Sequence, residues 1–549
     1  MTRLSTRGWF QHSVCPSRLA PIRRALVCGL IMSFTWLVLP NSGCSISSVT
    51  AEFDSRESPE ARLLLTAAGK AVANGNLLEA EQDLKMILRL DPHSGDVYEM
   101  LGDIEARQGH LNQAAEDYWR AVQIQPHSFK AHYNLAVVYL RQDRFKDGER
   151  ELRSALAIDP SNADASYNLG LILLDSGYAK QAEDWLLRAR TLQPGRPDIA
   201  FNLIRATLKA GHPDRAREQG TEAFKAFIRE ANWLQAVGQL YLKNGMLNDA
   251  IQFLSQAVLV HPDQREARRL LAEAYMKTGQ PAKAVATLNQ GPGIEDDYLR
   301  AKADYFLGDL VDAQTTVNLA IEGSPGNPNY LLLESRILQR MRRYSTAYEV
   351  AQQAIRLAPT WAGPYYSAAV SDYFLRRYED AIANVDHAID LQPDFDRAWF
   401  LKGITLVIAG KTGLAEQCLR KAAALKPNNA RFRFHLGALL LREGRDLEAE
   451  QESLVATRLD PQYGLAHYGL GKVEMHLNHA GKACREFKEA IQLQPGLTQA
   501  YYQLARAYES LGESQKAAIT FSRFKKAKVQ GTVVQAESAG LDELELKQP

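Results

Sequence analysis

From about residue 61 to residue 530, apolar side chains recur three and four positions apart in stretches of twelve to fourteen residues, as in AHYNLAVVYLRQDRFKDGERELRSALAIDP. That spacing places them on one stripe of an α-helix, and a short polar break separates each stretch from the next. Prolines punctuate the pattern. Pro92, Pro126, Pro160 and Pro194 stand 34 residues apart, Ile228 occupies the next place, and Pro262 resumes the train. A second train runs through Pro325, Pro359, Pro393, Pro427, Pro461 and Pro495. The 63 residues between the trains are five short of two periods and contain Gly291-Pro292-Gly293, which predicts a change of pitch near residue 292.

With the proline set at position 32, fourteen repeats align. Position 20 is alanine in thirteen of them, with Gly148 the exception; position 8 is Gly, Ala or Ser in all but the fifth, which has Ile204; position 27 is alanine in eleven. Small residues at fixed offsets imply close backbones, so each repeat reads as two amphipathic helices crossing at those positions. Proline closes the second helix because it cannot donate to the ladder and biases its predecessor out of the helical region. One such pair cannot bury its own apolar face, and stacking supplies the core.

Repeats such as Tyr98, Leu101, Gly102, Ala114, Tyr118, Ala121, Pro126 and Trp399, Gly403, Ala415, Leu419, Ala422, Pro427 resemble the tetratricopeptide-repeat family. The resemblance covers about 470 of the 549 residues. It implies an all-α fold, a right-handed α-solenoid of about fourteen helix-turn-helix repeats, whose concave face binds proteins or peptides; it implies no reaction and no cofactor. The expected organisation is a leader over 1–43, a linker over 44–60, repeats one to seven over 61–292, repeats eight to fourteen over 293–530, and a polar tail over 531–549.

In such a solenoid the first helix of each repeat lines the groove. Position 5 is aromatic in two runs, Tyr133, Tyr167, Phe201 and then Tyr366, Phe400, Phe434, Tyr468, Tyr502, and Tyr373 stands at another concave offset. If these rings face a ligand, trimming Tyr366, Phe400 and Phe434 leaves the helices intact. Position 6 is asparagine in three consecutive repeats, Asn134, Asn168 and Asn202. A row of amides can hydrogen-bond successive peptide groups of an extended ligand whatever its side chains, and it resembles the asparagine ladder in the repeats of the O-linked N-acetylglucosamine transferases. A ligand-binding row and a merely solvated one both fit. Around the C-terminal stripe stand Arg397, Arg431, Arg442, Lys472 and Arg506, whereas the second repeat offers Asp96, Glu99 and Asp103. That arrangement suits an amphipathic or apolar peptide with acidic flanks, unless a tight superhelix packs the rings on one another.

The first fifty residues differ from the rest. Every charge before Glu52 is an arginine, and Ala25 to Leu39 is an uncharged apolar run followed by Pro40-Asn41-Ser42-Gly43. A basic stretch, a short apolar core and a small-residue exit have the build of an export signal. Asn41-Ser42-Gly43-Cys44 resembles a bacterial lipoprotein box with Cys44 as the lipidated residue; soluble export and an uncleaved membrane anchor are the other readings. The expected location is the periplasm or cell envelope.

With 65 basic against 64 acidic residues, the charge balance points away from nucleic acid. No HExxH, GxxxxGK[ST] or GxSxG occurs, no metal site is expected, and His476 and His479, one turn apart, read as solvated. Cys418 and Cys484 lie two repeats apart, too far for a disulfide. The function that follows is a non-catalytic binding scaffold; an accessory part of a polysaccharide or outer-membrane export machinery is the alternative.

Overall fold

The structure, a computed structural model, describes residues 59–289 and 293–529. The leader, Cys44, the linker as far as residue 58, residues 290–292 at the expected change of pitch, and the tail lie outside the described residues. Among the described residues there are twenty-eight α-helices and no strand.

The helices follow the repeat register. In the second repeat they are Gly95–Gln108 and Leu111–Ile124, at positions 1 and 17, and every later repeat starts its two helices at those same positions. Position 34 caps the next first helix, and in four repeats its Ser or Asn side chain accepts from the helix's free amides, Ser128 from Ala131, Asn162 from Ala165, Asn327 from Asn329, Asn429 from Arg431 and Phe432, whereas Ser94 at the same position makes no such bond. Position 15 turns the chain between the two helices with positive φ in all fourteen repeats. Ten have glycine there, and Asp143, Arg342, Arg376 and Asn478 adopt the left-handed conformation near 60°.

The chain divides into two compact bodies, Met1–Ile228 and Arg229–Pro549. The first holds the described helices from Pro59–Ala73 to Pro213–Ala226, the second those from Ala231–Lys243 to Ser514–Val529, and in each body helices pack on their neighbours in sequence. The shortened repeat lies in the second body, where Pro281–Leu288 has 8 residues in place of 14.

The small residues at position 8 make room for the side chain at position 24 of the same repeat. A Cβ added at Gly170 would stand 2.6 Å from Leu186 Cγ, at Gly403 2.8 Å from Leu419, and at Gly471 2.6 Å from Phe487. The fifth repeat reverses the sizes, with Ile204 fully buried at position 8 and Gly220, also buried, at position 24. Exchanging the sizes in the eleventh repeat tests this pairing. Gly403→Ile is expected to destabilise the second body by about 1–3 kcal/mol through overpacking, and Gly403→Ile with Leu419→Gly to recover much of it. Denaturant midpoints of these two variants and of Leu419→Gly alone decide; a double variant as unstable as the sum of its parts removes the argument.

A second tie joins consecutive repeats. In five repeats position 4 reaches back to the carbonyl of the proline that closed the previous repeat: Trp399 Nε1 donates to Pro393 O at 2.9 Å, Tyr365 Oη to Pro359 O at 3.2 Å, and Arg268 to Pro262 O. His132 and His467 stand in the same place, Nε2 3.2 Å from Pro126 O and Pro461 O, with Nδ1 2.8 Å from Glu151 and Glu486. The carboxylate partner holds each imidazole above its ordinary pKa. Cys418 and Cys484 are buried free thiols, pushed up by that burial.

Candidate binding face

In the first body the asparagine row is a set of rungs between repeats. Asn168 Nδ2 donates to the Tyr133 hydroxyl at 3.2 Å, Asn202 Nδ2 to the Tyr167 hydroxyl at 3.0 Å and to Asp198 O at 3.0 Å, and Asn134 Nδ2 to Asp103 Oδ1 at 3.1 Å. Each amide thus ties position 6 of one repeat to the repeat before it, and its donors are engaged inside the stack. Asn168 and Asn202 are buried, Asn134 half-buried, and Asn202 Oδ1 is left buried with no acceptor role filled. Burial, reinforced by Asp164 and Asp198 respectively, raises the phenols of Tyr133 and Tyr167 well above their ordinary pKa, so they remain neutral. Tyr133 and Phe201 are half-buried, and Tyr133 stacks on Phe129 with centroids 5.6 Å apart.

The acids of the second repeat are also engaged. Glu99 takes the Ser128 hydroxyl and lies 3.5 Å from Lys130 Nζ, while Asp103 takes Tyr118 Oη at 2.5 Å and Lys130 at 3.1 Å. Burial raises the Glu99 carboxyl.

In the second body the aromatic run lies inside the stack. Phe400 is 1% exposed, and Tyr366, Tyr373, Phe434 and Tyr468 are likewise buried. Phe400 stacks on Phe432 of the next repeat at 4.7 Å, Tyr366 meets Phe395 at 5.0 Å, and Phe434 meets Tyr463 at 5.7 Å. Position 5 therefore wedges each ring between its own closing loop and the following first helix, where apolar area leaves water. Tyr502, in the last repeat, keeps an exposed edge while packing on Phe521 and Phe524. The burial corrects the expectation of an open aromatic stripe over repeats ten to thirteen: adjacent first helices come close enough to close over it.

Of the basic rim, Arg431 lies over the Tyr463 ring, Lys472 over that of Tyr468, and Arg442 donates to Val407 O at 3.4 Å. His476 is exposed, 3.6 Å from Asp446, and His479 pairs with Glu474 at 2.8 Å. Ligand atoms of Glu450, Glu474 and His479 gather within 4.8 Å, and Lys482 Nζ stands 3.3 Å from Glu474 and 3.8 Å from Glu450.

Three cations on first helices were not singled out by their sequence positions as a group. Lys302 and Arg336 hold position 9 of repeats eight and nine, and Arg397 holds position 2 of repeat eleven; all three are half-buried.

Tetratricopeptide-repeat models match residues 130–197, 406–464, 241–305 and 499–527, and a TPR-repeat model matches 102–143. The human protein O-mannosyl-transferase TMTC1 is 25% identical over 174 residues, 30% of this chain and 20% of that protein, so the chain spans about a fifth of the length of this curated relative. Among solved structures, the APC/C hetero-tetramer Cut9–Hcn1 aligns over 88% of this chain and 96% of its own at 12% identity and a TM-score of 0.39. YrrB, described as a TPR protein with an unusual peptide-binding site, aligns over 34% and 95% at 24% identity and 0.29, and MamA over 32% and 94% at 22% and 0.30.

Proposed function

Since the chain is a member of the tetratricopeptide-repeat family, we propose that it is a scaffold that binds protein or peptide partners along its first helices. The observation that supports this most is the repetition itself. Within each body the first helices start at the same register position, from Gly95–Gln108 to Pro197–Lys209 in the first and from Ala231–Lys243 to Thr498–Ser510 in the second, so positions 2, 9 and 13 recur on one side of each helix pair and each body offers a surface of side chains rather than a single pocket. An extended surface suits an extended or helical polypeptide. On the strength of the basic and apolar leader, we place the scaffold at the cell envelope, exported or tethered there; among the described residues no helix is long and apolar enough to cross a membrane.

Crosslinking the full chain to proteins of its own cells tests the reading. Partner crosslinks are expected at first-helix lysines such as Lys209, Lys302 and Lys472, and not at the exposed second-helix lysines Lys180, Lys225, Lys421 and Lys488. A distribution favouring the second helices rejects the first-helix surface.

A further inference from the structure

The last repeat, Thr498–Ser510 and Ser514–Val529, ends the described stack on an apolar face. Position 24 is buried in every earlier repeat, from Leu84 to Phe487, and here it is Phe521, 37% exposed. Tyr502, at position 5, is equally open, whereas the rings at that place in repeats ten to thirteen are buried. Tyr502, Phe521 and Phe524 stand in mutual contact, with centroids 5.6–5.9 Å apart. Position 27 is alanine in eleven of the other thirteen repeats, where the next first helix draws close; here it is Phe524. That ring bars a further repeat, of this chain or of a second copy, from docking in the common register. The face is also basic. Residues 514–527 carry Lys516, Arg523, Lys525 and Lys526 and no acid. Lys516 pairs with Glu513 at 2.6 Å, and Lys525 Nζ lies 5.5 Å from the Phe521 ring centroid. Among the described residues, no carboxylate lies within ion-pairing distance of Arg523, Lys525 or Lys526, which are exposed.

Water against three rings is unfavourable, and the outer repeat of a solenoid ordinarily presents a polar face. Whatever covers this one must bring apolar side chains and negative charge, and must be thinner than a helix pair. The chain's own sequence after Val529 has that composition: Leu541-Asp542-Glu543-Leu544-Glu545-Leu546 sets three leucines among three acids. We propose that residues 541–546 dock on the terminal face, with the leucines on Tyr502, Phe521 and Phe524 and the acids toward Arg523, Lys525 and Lys526. The length of chain permits it. Leu541 lies twelve residues beyond Val529, a span of up to about 40 Å when extended, whereas the whole last helix is about 24 Å long. Tethering keeps the segment near the face at a high effective concentration, so a contact of few side chains suffices. The inference stands apart from the scaffold reading, which concerns the first helices.

Zero-length carbodiimide crosslinking of the full chain, with nitrogen-14 and nitrogen-15 copies mixed in equal amounts, tests the docking, first on the purified chain and then in cell lysate. Mass spectrometry is expected to find Lys525 or Lys526 joined to Asp542, Glu543 or Glu545 within copies of one isotope. Leu541→Ser with Leu544→Ser keeps every acid and lysine, so chance encounters along the tether persist in it, and the yield of these crosslinks is expected to fall about tenfold. Because that variant leaves the described helices untouched, its helical content is expected to equal that of wild type. Phe521→Ser is expected to lower the yield from the other side of the contact. Absence of the crosslinks in wild type, or an unchanged yield in the leucine variant, overturns the docking. So do mixed-isotope pairs as frequent as same-isotope ones, which assign the face to a second copy's tail, or Lys525 and Lys526 joined in lysate to another protein in place of the tail.

Discussion

Phe400→Ala is expected to lower the stability of the second body by about 3–5 kcal/mol, the range for truncating a fully buried phenylalanine. The ring is 1% exposed, stacks on Phe432 at 4.7 Å and meets the His435 ring edge-on at 5.1 Å, so its removal leaves a cavity between two repeats that neither backbone can easily close. Adding Tyr366→Ala and Phe434→Ala extends the cavity across repeats ten to thirteen, and this triple variant is expected to unfold there. Stability in a solenoid is carried between neighbouring repeats, so the amides of residues 95–226 are expected to keep their protection. Hydrogen exchange read by segment, together with the thermal midpoint, decides. A triple variant that keeps the wild-type midpoint restores these rings to a ligand-facing role.

Asp372→Asn is expected to stabilise the protein near neutral pH and not in acid. The carboxylate is 1% exposed, accepts from Asn384 Nδ2 at 2.9 Å, has Arg377 only at 3.9 Å, and leaves Oδ1 without a hydrogen-bond partner. Burial, with a contribution from Asp380, pushes its pKa from 3.8 to about 6. A raised folded pKa means that folding favours the protonated acid. The stability it contributes is therefore fully present below pH 3.8 and is lost as the pH rises through about 6. At about 1.4 kcal/mol per tenfold shift, the loss reaches about 3 kcal/mol near pH 7.5. The amide is neutral throughout and keeps an acceptor for Asn384. Midpoints of wild type and variant at pH 7.5 and pH 4 check this; a difference that does not change with pH sinks it.

These two residues mark the boundary between what was legible in the chain and what was not. Phe400 was visible as one of a run of aromatics at position 5, yet the same spacing serves a groove and a core. Asp372, at position 11, carried no signal. The turn at position 15 was open to view in its ten glycines, but Arg342 and Arg376 in the same left-handed conformation were not, since nothing local asks an arginine to adopt it. The reach of position 4 to the preceding proline carbonyl joins residues six apart in sequence and differs in chemistry from repeat to repeat, Trp399, Tyr365, Arg268, His132 and His467 in turn.

The sequence by itself determined the helix pairs, their 34-residue register and the short seventh repeat, because apolar spacing, small residues and proline breaks act over one or two turns of helix. Tertiary structure decided which residues of each first helix remain open. The separation of adjacent first helices is set jointly by every side chain between them. That separation buries Phe400 and Tyr468 and uses the amides of Asn168 and Asn202 within the stack. Periodicity is a property of one helix, whereas the burial of a side chain depends on the distance to the next.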